Sequence, residues 1–359
     1  MVDEPQDLSS ELASLREANS VLSDRANTLA VRNEALSTVL NFVTTPASLD
    51  VVSRLILTHA LDGGAIGESG SVFVAVPTGD RTELERLTKM ILVPGNRVIE
   101  DPDLTEFARF IEGEGIAGHV LKTGDPYVAS NCTRDKKYKH FSKPPQMRSL
   151  MAVPLKYGER VLGVLCVHTI TRQAQFSVHD QTFVQGLAHI ASIVVRANYD
   201  DRTMLPNRQL MNSLLDREVA ETTRTTKPLS MAYLDIDNFG QLNLEHGHAA
   251  ADEAIKQVAR AMAHETSQGA MLCHCHGDEF AVIFRNQNLA QAAAAAERIR
   301  ASVEKSPVEV ASEKKQVTIS AGVAEWVAGM ACKDLVDRAD KANAAAKDAG
   351  KNIVKCYEN

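Results

Sequence analysis

Two pairs of carboxylates carry most of the chemistry legible in this chain. Asp235 and Asp237 close the apolar run "LSMAYLDID", and Asp278 and Glu279 follow Gly277 at the tip of "MLCHCHGDEFAVIF", residues 271 to 284, which reads as two apolar strands around an acidic turn. Open α/β sheets place ligands beyond the carboxyl ends of their strands. A hairpin beside the first strand would therefore bring Asp278 toward Asp235. Clustered carboxylate oxygens suit Mg²⁺ or Mn²⁺, and Mg²⁺ keeps waters and bridges to substrate phosphates. The pattern predicts metal-dependent phosphate chemistry. Lys347 and Lys351 stand four apart, hence on one face of the last predicted helix, as point charges for a polyphosphate tail. The same pair also reads as a solvated helix end, favoured by the helix dipole.

The run Cys273-His274-Cys275-His276 invites a zinc reading, with His246 and His248 as further donors. Side chains alternate across a strand, so the two thiols share one face and the two imidazoles the other. Four tetrahedral ligands cannot come from that run, and its spacing is not that of a structural zinc site.

Elements must hold these groups, and 359 residues suggest more than one domain. With 44% hydrophobic and 24% charged residues, the composition is that of a globular protein. A net charge of -7 offers no global attraction to nucleic acid or to an anionic membrane, so any phosphate binding must be local. The polar, acidic N-terminus does not resemble a signal peptide, no apolar run reaches membrane-spanning length, and a cytoplasmic location is expected. Six scattered cysteines fit reduced thiols rather than a disulfide framework.

Leu8, Leu15, Leu22, Leu29 and Leu36 recur at seven-residue spacing with Val43 in phase. Taken as d positions, they put Leu12, Asn19, Ala26, Asn33 and Leu40 at a, and asparagines at a favour a parallel, in-register dimer. The alternative is one long amphipathic helix packed on its own domain. Residues 1–44 are read as this dimerisation helix, 45–197 as a second segment of mixed pattern and 198–359 as a third segment of alternating strands and helices. The second segment reads as an antiparallel sheet with helices at both ends. Its hairpin "SLMAVPLKYGERVLGVLCVHT" turns at Tyr157 to Glu159, and its closing helix has Ser177 as N-cap.

"GEGIAGHVLKTGDPYVASN", "RSLMAVPLKYGERVLGVLCVH" and "FSVHDQTFVQGLAHIASIVV" together resemble a GAF domain, a small-ligand sensor of bacterial signalling proteins. The ligand stays open, because the Asn-Lys-x-x-Phe-x-x-x-Asp-Glu pattern of cyclic-nucleotide-binding members is missing. Cys132 reads either as a sensing thiol or as an ordinary core cysteine. The third segment resembles the GGDEF domain of diguanylate cyclases. "YDDRTMLPNRQLM", "LDIDNFGQLNLEHGHAAAD", "HGDEF", "VTISAGVA" and "ADKANAAAKDAGKN" follow the family's motifs in order. The fold class implied is α/β and α+β multidomain: parallel coiled coil, GAF domain, and a nucleotide-cyclase-like sheet covered by helices.

The resemblance implies that Asp235, Asp278 and the backbone carbonyl of Ile236 bind Mg²⁺. It implies that Asn243 and Asp252 read guanine, that Gly277, Lys347 and Lys351 contact GTP, and that Glu279 stands near the metal or the attacking hydroxyl. In the family two GTP-loaded domains meet, and each 3′-hydroxyl attacks the other nucleotide's α-phosphate to give cyclic di-GMP and two pyrophosphates. This sequence departs from the pattern in several places. His276 replaces the signature's first glycine, a position where a left-handed backbone would cost about 1 kcal/mol and where an imidazole would take nucleotide space. Gly240 replaces a lysine, Ala251 a glycine, Arg202 a leucine and Met204 a glycine of the opening motif, Lys351 an arginine, and Asn343 and Ala344 a Leu-Tyr pair. Ser267 and Ala270 stand where the inhibitory R-x-x-D is expected. Three readings follow, the first two being a homodimeric, GAF-regulated diguanylate cyclase and a degenerate GGDEF domain kept as a GTP-binding or protein-docking module. A scaffold that only dimerises is the third.

Overall fold

The computed structural model describes residues 6–43, 49–61, 66–78, 81–93, 97–100, 110–138, 147–266, 270–310 and 313–358. Among the described residues, helix α1 (Gln6–Val43) meets the rest of its chain in its last third, from Arg32, which pairs with Asp180, onward. Ala35 and Val39 are buried in a core shared with α2 (Leu49–Leu61) and α4 (Val178–Asn198). The leucine seam points elsewhere: Leu22 and Leu29 are each 61% exposed. Leu36 departs from the expected seam, packing in part against Gly186 of α4, because the helix there turns its Ala35–Val39 edge onto the domain. The side chains of Leu8, Leu12, Leu15 and Val43 lie outside the described residues.

The following domain is a twisted antiparallel sheet in the order β3-β2-β1-β7-β6-β5, built from β1 (Ser69–Thr78), β2 (Arg81–Val93), β3 (Arg97–Glu100), β5 (Tyr127–Ala129), β6 (Ser149–Tyr157) and β7 (Arg160–Thr169). A short β4 (Phe110–Ile111) pairs with β2. Alternation buries both faces. Val72, Val74, Val153 and Val167 face α2 and α4, while Phe73, Ala75, Ala152 and Val164 face α3 (Gly115–Thr123). Ser177 caps α4 as expected: its hydroxyl accepts from the Asp180 N–H (3.1 Å) and the Asp180 carboxylate accepts from the Ser177 N–H (2.9 Å).

A tight linker joins α4 to α5 (Arg208–Thr225). The Asn207 N–H donates to the Asn198 carbonyl (2.9 Å), its amide to the Ala197 carbonyl (2.8 Å), and its side-chain oxygen caps α5 through the Leu210 N–H (3.1 Å). Met204 in this linker is left-handed (φ 55), yet buries its side chain in the core of the preceding domain.

The last domain adds β8 (Leu229–Ile236), α6 (Phe239–His246), α7 (His248–Glu265), β9 (Ala270–His276), β10 (Glu279–Arg285) and α8 (Leu289–Lys305). It is completed by a small hairpin of β11 (Val308–Val310) and β12 (Glu313–Lys315), then β13 (Ile319–Glu325), α9 (Cys332–Asp348) and β14 (Val354–Cys356). The sheet order is β14-β13-β8-β10-β9, antiparallel except for β13 with β14. Ala232, Leu234 and Val282 face α7 and α8; Met231, Tyr233 and Ile283 face α5 and α9. Gly322 lets α9 lie directly on β13, since a Cβ there would stand 2.0 Å from the Asn343 nitrogen. Among the described residues, no helix is long and apolar enough to cross a membrane.

Candidate active site

Register brings the acidic groups together. β10 pairs with β8 so that Glu279 stands opposite Asp235, and the Ile236 N–H donates to the Asp278 carbonyl (3.2 Å). Asp235 is 7% exposed, and its carboxyl is pushed up to about 6. Burial contributes most, the Asp278 and Glu279 charges add to it, and Lys347 opposes it with its Nζ 2.7 Å from Asp235 Oδ2. Glu279 is held by the Tyr233 hydroxyl, which donates to it at 2.8 Å. Asp237 is instead structural. It accepts from the Ser320 and Thr318 hydroxyls (2.6 and 2.7 Å) and from the Asn352 N–H (3.0 Å), so only one aspartate of the pair joins the cluster.

Lys351 does not share a helix face with Lys347. Helix α9 ends at Asp348, Gly350 turns the chain (φ 116), and Lys351 is itself left-handed (φ 64), donating from Nζ to Asn238 Oδ1 at 2.5 Å. The signature turn also differs from expectation. His276 stays in β9 with ordinary strand backbone and its side chain exposed; the left-handed residue is Gly277 (φ 56). The glycine that the turn requires is therefore present, and His276 adds no backbone cost.

Cys273 and Cys275 are buried against Met211 on one face of β9, as alternation predicts. Burial pushes both thiols up, Cys275 to about 12, which is unlike a thiolate ligand pair. His274 lies on the other face, stacked on Phe280 with ring centroids 4.5 Å apart. Its Nδ1 meets Asp200 at 2.9 Å and its Nε2 meets the Gly277 carbonyl at 2.9 Å, so it ties the linker to the signature turn. Burial raises the Asp200 carboxyl, but His274, the Thr203 N–H and Arg202 outweigh it and hold that group well below the usual range. Among the described residues, no three His, Cys, Asp or Glu side chains form a cluster able to hold a metal ion; His246 ends α6 and His248 begins α7. Cys132, 0% exposed and raised to about 12 by burial and by Asp135, is a core thiol.

Asn243 and Asp252 sit on α6 and α7, away from the acidic turn in sequence. The Asn243 Oδ1 is buried with no hydrogen-bond partner, an acceptor awaiting a donor. Asp252 is occupied, because Arg202 Nη1 lies 3.1 Å from its Oδ1. Arg202 replaces a leucine of the opening motif, a signal visible in the sequence, but a pairing across 50 residues is not. At Gly240 an added Cβ meets open space, so no packing demands the loss of a side chain there. Ser267 lies outside the described residues, and Ala270 begins β9.

The family model of the GAF domain matches residues 50–195, and that of the diguanylate cyclase, GGDEF domain, matches residues 197–353. The chain is a GAF–GGDEF protein of the diguanylate cyclase family. Diguanylate cyclase A of Treponema denticola is 29% identical over 248 residues, covering 64% of this chain and 67% of its own length. Response regulator PleD of Caulobacter vibrioides is 37% identical over 158 residues, 43% of this chain and 35% of PleD. The crystal structure of the GGDEF domain of DgcB from Caulobacter crescentus in complex with c-di-GMP is 31% identical, with a TM-score of 0.44 over 45% of this chain and 94% of that one. The chain thus spans two thirds or less of these curated relatives. In this GGDEF domain the expected residues fall into two groups: Asp235, Asp278, Glu279 and Lys347 around the turn, and Asn243 and Asp252 on α6 and α7.

Proposed function

We propose that this GAF–GGDEF protein condenses two GTP into cyclic di-GMP and two pyrophosphates as a homodimer. The observation that carries the reading is the acidic turn, where Asp278 and Glu279 stand beside the buried Asp235 and, together with its burial, raise its carboxyl despite the Lys347 ammonium 2.7 Å away. Asp235, Asp278 and the Ile236 carbonyl would hold Mg²⁺ or Mn²⁺, which would supply charge neutralisation for the triphosphate and for the departing pyrophosphate. Lys347, and Lys351 from its separate turn, bind the phosphate tail, and Gly277 gives it room. Asn243 accepts from guanine and Asp252 from its N1–H and N2–H edge. Glu279, aimed by Tyr233, takes the proton as the 3′-oxygen attacks the facing α-phosphate and the α–β phosphoanhydride bond breaks.

The two half-sites must face each other, so the second copy contributes the other nucleotide. The exposed Leu22 and Leu29 seam supports a parallel coiled coil that supplies this proximity, with the GAF domain taking a small ligand and α4 passing its state on. A specific observation favours the second reading, a GTP-binding or partner-docking module without turnover: Arg202 already occupies the carboxylate that would read guanine. Incubating the purified full chain with GTP and Mg²⁺ or Mn²⁺ and detecting cyclic di-GMP by mass spectrometry separates the two. The expected result is product from the wild type and none from Asp235→Asn; GTP binding without product would select the module instead.

A further inference from the structure

A cavity of about 400 Å³ lies between the two domains, apart from the acidic turn. It is walled by β1, α3 and the β6–β7 hairpin on the GAF side and by the linker and α7 on the GGDEF side. Six cations line it: Lys122, Lys156, Arg160, Arg202, Lys256 and Arg260. Only two carboxylates, Glu112 and Glu159, share the lining. In a chain of net charge -7, this concentration of positive charge runs against the overall balance.

The pairing of these cations is incomplete. Lys256 meets Glu253 at 3.1 Å on its own helix, and Arg202 meets Asp252 at 3.1 Å and Asp200 at 3.6 Å. Arg160 donates to the Asp201 carbonyl. No ion pair joins Lys122, Lys156, Arg160 or Arg260 to a carboxylate among the described residues. Gathering like charges around one cavity is unfavourable unless an anion compensates them. The volume falls in the range of small-molecule sites, and arginine and lysine together are the usual recognition set for phosphate oxygens.

We propose that this junction cavity binds a small molecule carrying a chain of two or more phosphates, and that its occupant competes with Asp252 for Arg202. Arg202 lines the cavity and grips Asp252 at once. An anion that draws the guanidinium inward therefore frees the Asp252 carboxylate. This last consequence rests on the guanine-reading role given to Asp252 above; the cavity and the competition for Arg202 do not. Linkage makes the competition reciprocal: whatever releases Asp252 from Arg202 strengthens the anion, and the anion releases Asp252. Because the walls come from both domains, the occupant also fixes the GAF domain to the GGDEF domain.

The test is calorimetric titration of the full-length protein with inorganic tripolyphosphate in the absence of divalent metal and of GTP. Saturable binding is expected in the wild type and in Lys347→Gln, at least tenfold weaker binding in Lys156→Gln/Arg260→Gln and in Arg202→Leu, and severalfold tighter binding in Asp252→Asn. Lys156 and Arg260 lie on different domains and are not buried, and unchanged melting curves would show that their replacement leaves the fold intact. Binding that survives the double variant, or that disappears only in Lys347→Gln, overturns the cavity. Equal affinity in wild type and Asp252→Asn overturns the competition. Parallel titrations with pyrophosphate and ATP distinguish a bare polyphosphate from a nucleotide, and tight binding of either supports the site. None of these readings uses turnover or guanine binding, so a failed cyclase assay would remove the proposed function without deciding this one.

Discussion

Asp200 and His274 hold the signature turn from behind. The depressed Asp200 carboxyl contributes stability at pH values above its unfolded value of about 4, and the contribution is lost as pH falls further toward its folded value. Asp200→Asn should cost about 2 kcal/mol at pH 7, the scale of a charged hydrogen bond. Urea unfolding at pH 7 and at pH 3 is the check: the gap between variant and wild type should narrow at the lower pH, and a constant gap would contradict the assignment. At Gly240 the open surroundings mean that Gly240→Lys should fold normally and restore the cation that the proposed cyclase reaction would direct at phosphate. Initial rates of pyrophosphate release should rise about tenfold or more if that charge stabilises the reacting phosphates. The acidic residues were legible because the apolar runs framing them announce strands. The hold of Arg202 on Asp252 was not, because only folding brings α7 beside the linker.

At the scale of elements, the pattern that decides a strand or helix is local where side chains alternate cleanly or a cap is present. Ser177 and Asp180 announce α4, and Ser177→Ala should lower stability by about 1 kcal/mol in thermal unfolding. β2 is charged and long, α5 buries only a narrow stripe, and β11 and β12 are short. Their place in the fold is set by pairing and by neighbouring helices rather than by their own periodicity. The stop of α9 before Lys351 belongs to the same class, since helical spacing alone carries the lysine onto the helix. Met204 shows two local terms in opposition. Relief of its left-handed backbone would return about 1–2 kcal/mol, but loss of its buried side chain costs about 1.5–3 kcal/mol. Met204→Gly should therefore destabilise by about 1 kcal/mol in denaturant unfolding, and a stabilised variant would mean that strain outweighs burial.

The whole molecule turns on whether a second copy covers the seam of α1. Leu22→Asp with Leu29→Asp places charges on a face that the folded chain leaves exposed, so the domains should melt as in the wild type. Light scattering should then report a monomer, and cyclic di-GMP production should fall at least tenfold, because the facing half-site is lost along with its effective concentration. A variant that remains dimeric would move the dimer contact to another surface. Leu36 shows why the sequence overextends the seam: heptad spacing continues into a turn that the tertiary fold uses against α4.

By itself the sequence determined the domain order, the antiparallel sensor sheet, the helix-covered cyclase-like sheet and the acidic turn. Each rests on periodicity, turn chemistry or motif residues that lie near one another along the chain. Tertiary structure alone decided that His276 keeps strand geometry while Gly277 turns, that Lys347 sits on Asp235, and that Asp237 is spent on Ser320 and Thr318. It alone gathered six cations from two domains around one cavity. The physical reason is the same in each case: charge pairing and close approach depend on distances in space, and neither residue type nor spacing encodes those distances until the sheets and helices have packed.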